Sequence, residues 1–407
     1  LTLDFTYFII PIRKGEDIVI RRQAEESLLR LASQFMVVAI TGPRQSGKTT
    51  LAQSVFPGKQ YVSFDDINMR ELAASNPRDF LLAFPNGVII DEVQKVPEIF
   101  DAIKIFVDEG PYTPGKYIIT GSSQFNLKES ITESLAGRIG LIKLLPFSLS
   151  ELKSEGLLQD SAYHTLFKGF YPPLHDRNKH FIPEDWFQNY VETYINMDIR
   201  GQINPANIST FRKFLQMCAL YSGQLINMES ISREIGISAV TVKSWLSILE
   251  ESFIIHFLEP DTNNLGRSLV KTPKLYFVDS GLMCYLLRLE NAEELILSRH
   301  KGAAVETIAV SEILKSRYNA GKSANLTFFR DRTGFEIDTI ADWKHTFAIE
   351  IKSNSTTEKN FSKNTRKYIK ARGDETKGAI FYLGDVSMEI NDISYVSWKD
   401  WGDFSMQ

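Results

Sequence analysis

Cysteine is almost missing from this 407-residue chain: Cys218 and Cys284 stand far apart, outside any CxxC or Cys/His spacing. That excludes a disulfide framework and a zinc ribbon, and it predicts a reducing, cytoplasmic setting. The histidines (His164, His175, His180, His256, His300 and His345) show no metal-ligand spacing either. An excess of one charge is also missing, with Lys plus Arg at 46 against Asp plus Glu at 50. The composition therefore does not advertise a nucleic-acid binder, although a local basic face fits inside a neutral total. Long apolar runs are absent. The most apolar stretch, residues 5–12, is far short of the about 20 residues that cross a bilayer, and it lacks the flanks of a signal peptide. No membrane contact is expected. No repeat or low-complexity tract interrupts the chain.

What remains is ordinary globular protein, 43% hydrophobic and 24% charged. At about 150 residues per domain the length predicts two or three domains. Residues 1–20 read as a dispensable N-terminal extension. From 21 to 150, apolar runs at 35–41, 60–64, 87–91, 116–121 and 139–145 alternate with helical patterns. Strands alternating with helices predict a mainly parallel α/β sheet, and nearly all-apolar runs are what strands covered on both faces need. Residues 151–204 read as a helical lid or linker, broken at Tyr171-Pro172-Pro173.

Residues 205–270 read as a winged helix-turn-helix. A helix at 228–235, the Gly236 turn and Ser238 as N-cap of the next helix give its core, and the runs 253–258 and 274–278 suit a wing. The second helix, 239–250, carries Lys243 as its one base, so the unit reads as structural rather than as a major-groove reader. A mixed α/β domain follows over 271–390, with strands at 326–330, 335–341, 346–351 and 378–383 and a basic helix at 357–372. A tail covers 391–407.

The sharpest motif is Gly42-Pro43-Arg44-Gln45-Ser46-Gly47-Lys48-Thr49, with Thr50 beside it, which fits G-x-x-x-x-G-K-[ST] at every position. Its glycines let backbone N–H groups close on phosphate, and the helix beginning near Lys48 adds its positive end. Lys48 would reach the β- and γ-phosphates of ATP, and Thr49 would take a Mg²⁺ ligand position. The acidic strand end at 88–92 supplies the partners: Asp91 for Mg²⁺ and Glu92 to activate water. The next strand ends in small polar residues, placing Ser122 or Ser123 near the γ-phosphate. Arg138 is either a stabiliser of transition-state charge or a surface residue paired with Glu133. Arg44 is open in the same way.

Residues 21 to about 385 resemble prokaryotic AAA+-type ATPases fused to a winged helix and a restriction-endonuclease-like C-terminal domain. The resemblance rests on GPRQSGKTTLA (42–52), VIIDEVQKVP (88–97), ITGSSQFNL (119–127), ESLAGRIG (133–140) and KTPKLYFVDSGL (271–282). It implies ATP binding, whereas the substrate and role of such proteins are mostly unsettled. AAA+ relatives suggest a ring, but no residue here specifies a homo-oligomer or another protein partner.

The C-terminal domain carries a second constellation. Residues 335–341 and 347–352 alternate polar and apolar, which puts Glu336 with Asp338, and Glu350 with Lys352, on shared strand faces. A hairpin with a loop at 343–345 sets Asp338 opposite Glu350 and Glu336 opposite Lys352. Directly opposed carboxylates destabilise a sheet unless a cation joins them. Asp followed by Glu-x-Lys resembles the metal-nuclease core, in which carboxylates hold Mg²⁺ and lysine orients water. That resemblance adds Glu306 as a further acidic ligand. Lys359, Lys363, Arg366 and Lys370 then form one helical stripe, suited either to a DNA backbone or to plain solvation.

Overall fold

The structure is a computed structural model. It describes residues 20–121, 134–194, 199, 203–204, 207–261, 270–358, 360–373 and 375–406. The chain divides into two compact units, residues 1–146 with 318–322, and residues 147–317 with 323–407.

The first unit is built on five parallel strands: β1 (Val37–Thr41), β2 (Gln60–Ser63), β3 (Val88–Asp91), β4 (Tyr117–Gly121) and β5 (Ile139–Lys143), in the order β2-β3-β4-β1-β5. The three central strands are buried at every position, so neither face tolerates a polar residue before the strand ends. Alternate side chains feed two cores. Val37, Ala39, Ile90 and Ile119 meet Met69, Phe80, Phe100 and Ile103 from the helices Ile67–Ser75, Pro77–Leu82 and Glu98–Glu109. Val38, Ile40, Ile89 and Ile118 meet Leu28, Leu51 and Ala52 from the helices Glu25–Ala32 and Lys48–Val55. This is the P-loop parallel sheet expected from the sequence, with strand ends differing by one or two residues.

The second unit opens with the helices Leu149–Ser154, Ala162–Lys168 and Pro183–Tyr194, followed by Ile208–Leu220, Met228–Ile235 and Ala239–Glu251. Gly236 turns between the last two at φ 78°, and the Ser238 side chain caps the next helix through the Thr241 N–H. Both details match the sequence reading. Nine strands make one mixed sheet: β6 (Gln224–Leu225), β7 (Ile255–Pro260), β8 (Lys274–Phe277), β9 (Leu326–Arg330), β10 (Glu336–Asp342), β11 (Thr346–Lys352), β12 (Thr376–Tyr382), β13 (Met388–Ile390) and β14 (Ile393–Ser397). Their order is β13-β14-β12-β11-β10-β9-β7-β8-β6.

Two expectations shift here. The wing-like strands β7 and β8 do not stop at a wing, because β7 pairs parallel with β9 and joins the C-terminal sheet. The stretch after position 270 also packs backwards: helix Ser280–Leu286 lies against Ala162–Lys168, Pro183–Tyr194 and Ile208–Leu220. A boundary at 270/271 therefore cuts through a packed region. The basic helix is shorter than expected, spanning Lys363–Arg372. Among the described residues no helix is long and apolar enough to cross a membrane.

Candidate functional site

The phosphate loop leaves β1 and enters helix Lys48–Val55, whose N-cap is Gly47 at φ 92°. A Cβ on Gly42 would meet the Leu144 carbonyl oxygen at 2.1 Å, so only glycine lets the loop run this close to the end of β5. Gln45 takes a left-handed φ of 60° without being glycine. Pro43 and Ser46 are buried, Arg44 is half-buried, and Thr50 is exposed. Lys48 is buried and lies back over the loop, its Nζ donating to the carbonyls of Gly42 (3.0 Å) and Pro43 (2.8 Å).

Asp91 ends β3 beside the loop and collects three hydroxyls. Thr49 Oγ1 and Tyr61 Oη each donate to Oδ2 at 2.9 Å, and Thr120 Oγ1 donates to Oδ1. Burial and the Asp91 charge push the Tyr61 phenol well up, which keeps it a neutral donor. Glu92 follows in a left-handed conformation at φ 53°, and its Oε2 accepts from Gln94 Nε2 at 2.7 Å. A non-glycine residue there costs on the order of 1–2 kcal/mol, a cost that recurs where a side chain must be aimed. Ser122 and Ser123 lie outside the described residues.

Arg138 does not join this group. It sits just before β5, whose far end, Lys143, pairs with Thr41 where the loop begins. At about 3.3 Å per residue the strand holds Arg138 more than about 15 Å from the phosphate end. Its guanidinium forks instead onto Asp108, at 2.5 and 3.0 Å, on the helix Glu98–Glu109. That placement does not bring Arg138 to the phosphate loop of its own chain. The pair with Asp108 also takes up the guanidinium that the sequence reading had offered to Glu133, which lies outside the described residues.

Arg22 was missed by the sequence reading. It is buried and donates to Ser46 O and Leu145 O, both at 2.7 Å, tying the loop to the chain just after β5. A lone arginine 20 residues before the motif carries no spacing signal.

The C-terminal carboxylates assemble in the second unit. β10 and β11 form the expected hairpin register, Thr339↔Ile349 through Asp342↔Thr346, which carries Asp338 toward Glu350. At Asp338 the ladder gives way to its side chain: Oδ2 accepts the Ile351 N–H at 2.8 Å. Burial, Glu306 and Glu350 push the Asp338 carboxyl well above its usual range, and burial also raises Glu350. Glu350 is 3% exposed, and its Oε2 takes Lys352 Nζ at 2.5 Å.

Glu336 and Lys352, opposite in that register, do not form an ion pair with each other. Glu336 turns to Lys274 Nζ at 2.6 Å and Arg330 at 3.3 Å, because β8 brings a closer and more deeply buried ammonium. Lys274 also reaches Glu306 Oε1 at 2.8 Å, and the Tyr276 hydroxyl donates to the same oxygen. Burial alone would lower the Lys274 pKa, but Glu306, Asp338 and Glu336 outweigh it and hold the ammonium charged. Lys274, Glu306, Arg330, Glu336 and Asp338 line a cleft of about 460 Å³ floored by Gly223, Gln224 and Leu225. Among the described residues no three His, Cys, Asp or Glu side chains stand together as a ready metal-ligand group. Lys274 and Tyr276 were missed too, since their block of sequence carried a family resemblance but no chemistry legible by itself.

Of the basic stripe, Lys359 lies outside the described residues. Arg366 is spent on the carbonyls of Ile390 and Asn391, leaving Lys363 and Lys370 exposed.

Comparison with known proteins gives three family matches. The family described as "AAA domain" covers residues 34–153, and two domains of unknown function, DUF8612 and DUF4143, cover 159–293 and 301–401. The last two meet between 293 and 301, which keeps β8 and helix Ser280–Leu286 with the helices they pack on. Uncharacterized proteins of Mycobacterium tuberculosis and Mycobacterium bovis are each 29% identical over 343 residues, 83% of this chain and 74% of theirs. Among solved structures, a Walker-type ATPase of Pyrococcus abyssi is 15% identical with a TM-score of 0.44, covering 68% of this chain and 98% of its own. DnaA from Aquifex aeolicus bound to AMPPCP is 15% identical with a TM-score of 0.27, covering 56% of this chain and 86% of its own.

Proposed function

From an AAA-type P-loop ATPase domain at residues 34–153, we propose that this protein binds ATP with Mg²⁺ and hydrolyses it, and that turnover gates a DNA-directed, nuclease-like C-terminal module. The observation that carries the first half is the convergence of Thr49 and Asp91, joined at 2.9 Å, beside the Lys48 loop. A hydroxyl and a carboxylate are hard oxygen donors that suit Mg²⁺, and the flanking Tyr61 and Thr120 hydroxyls aim the carboxylate. Bound Mg²⁺ would neutralise charge building on the phosphates. Lys48 exchanges its two loop carbonyls for phosphate oxygens, a trade of neutral acceptors for charged ones that favours nucleotide. Glu92, held by Gln94, accepts a proton from the attacking water. Lys48→Ala should abolish nucleotide binding, and Glu92→Gln should keep binding while slowing hydrolysis by at least about 10²-fold. Undiminished turnover in both variants would refute the ATPase reading.

The second half rests on Asp338, Glu350 and Lys352 at the β10–β11 hairpin, with Glu306 beside them. Incubating the chain with plasmid and single-stranded DNA, with Mg²⁺ or Mn²⁺ and with and without ATP, tests it against Asp338→Ala. Cleavage lost in the variant supports the nuclease. No cleavage under any condition favours a second reading, a nucleotide-dependent scaffold for a protein partner. One observation already favours that reading: lysines neutralise the carboxylates in place, Lys274 on Glu306 and Glu336, and Lys352 on Glu350.

A further inference from the structure

We propose that Lys274 is the buried resident cation of the carboxylate cleft, with Arg330 beside it on Glu336, and that a divalent ion binds there only when the Lys274 ammonium is displaced. The inference rests on the nuclease-like reading of the cleft and adds a device to it, a counter-ion carried by a strand outside the Asp338–Lys352 hairpin.

The geometry is specific. Lys274 is 3% exposed, and its Nζ bridges Glu306 on the helix Lys301–Asn319 and Glu336 on β10, at 2.8 and 2.6 Å. Tyr276, two residues along β8 and so on the same strand face, holds the same Glu306 oxygen. The strand thus presents a cation and a hydroxyl donor to a carboxylate that a metal would need. Asp338 shares the cleft, and Glu350 lies beside Asp338. Carboxylates packed this densely require positive charge, and the Lys274 ammonium, with Arg330 on Glu336, supplies part of it. A second cation entering next to Lys274 would meet like charge at a few ångströms, where screening is weak. Entry of the ion and departure of the lysine are therefore one exchange.

Lys274 stands at the first position of β8, paired with Leu258 of β7 on one side and with Leu225 of β6, a two-residue strand, on the other. The backbone is tied on both sides of it, Ile226 N–H to Pro273 O at 3.0 Å and Gly223 N–H to Leu275 O at 2.7 Å, so the ammonium is held over the cleft.

The test titrates Mn²⁺ into the full chain without nucleotide and reads free Mn²⁺ by electron paramagnetic resonance. Wild type, Lys274→Gln and Lys274→Gln with Asp338→Asn are compared. The expected result is one site in Lys274→Gln that is at least tenfold tighter than in wild type and lost in the double variant. Equal or weaker binding in Lys274→Gln, with wild type binding Mn²⁺ through Asp338, overturns the counter-ion role and leaves the metal reading standing. No binding in any protein overturns both.

If Lys274→Gln does not fold, the wild-type melting temperature decides. It should not move with millimolar Mn²⁺, and Lys274→Arg, which keeps the charge, should behave the same. A rise in wild type that Asp338→Asn removes would show that the ion enters with Lys274 in place, against the proposal.

Discussion

Replacing Arg22 by alanine should loosen the phosphate loop without touching any residue that contacts nucleotide. The guanidinium donates two 2.7 Å bonds, to Ser46 O inside the loop and to Leu145 O beyond β5. Hydrogen bonds from a charged group contribute about 1.5–3 kcal/mol each, and two buried carbonyls lose their donor together. Water entering the vacated space recovers part of that, so a cost of about 2–4 kcal/mol is expected for the loop in its bound shape. A bound shape made less favourable by about 2–4 kcal/mol weakens apparent affinity by about 30- to 900-fold, at about 1.36 kcal/mol for each factor of ten. Binding of a fluorescent ATP analogue at equilibrium is the assay. It reads the loop directly, whereas global unfolding reports on the whole fold at once. Arg22→Lys, which keeps charge but not the fork, should fall between. Affinity unchanged within twofold in Arg22→Ala would refute the argument that this residue shapes the loop.

His175 is buried with Nε2 on the Gly169 carbonyl at 2.8 Å, and burial, aided by Lys168 and Lys315, lowers its pKa to about 4. The unfolded chain takes up a proton near pH 6.5 while the native one does not, so stability falls as pH drops from about 6.5 to 4 and levels off below. The window corresponds to about 3 kcal/mol, and His175→Gln should lose less melting temperature between pH 7 and 5 than wild type. Lys315→Met strips a fully buried Glu312 of its 2.8 Å partner and should cost about 3–5 kcal/mol in thermal or urea unfolding. Adding Glu312→Gln should recover part of that loss, and a double variant no better than the single would contradict the pairing.

The two sites differ in how much of them the sequence disclosed. The phosphate loop is contiguous, its strand and helix flanks are local patterns, and Asp91 follows at the end of an apolar run, so backbone periodicity alone placed them. The hairpin register that carries Asp338 toward Glu350 was also legible, because period-two alternation and a short loop leave little freedom. The partners of these residues were not. The hairpin register sets Glu336 opposite Lys352, whereas its partner Lys274 arrives from β8, 62 positions earlier, through a sheet order that only packing selects. Arg138 lay close in sequence to small polar strand ends, yet parallel pairing sent it to the opposite edge of the sheet.

Motif identity, strand and helix periodicity and the caps at Gly236 and Ser238 were determined by the sequence itself, since each depends on residues within a turn or two of one another. The three hydroxyls on Asp91, the Arg22 brace and the Lys274 bridge were decided by tertiary structure. Buried charges and carbonyls must find partners wherever the fold brings them, and that search runs through space rather than along the chain.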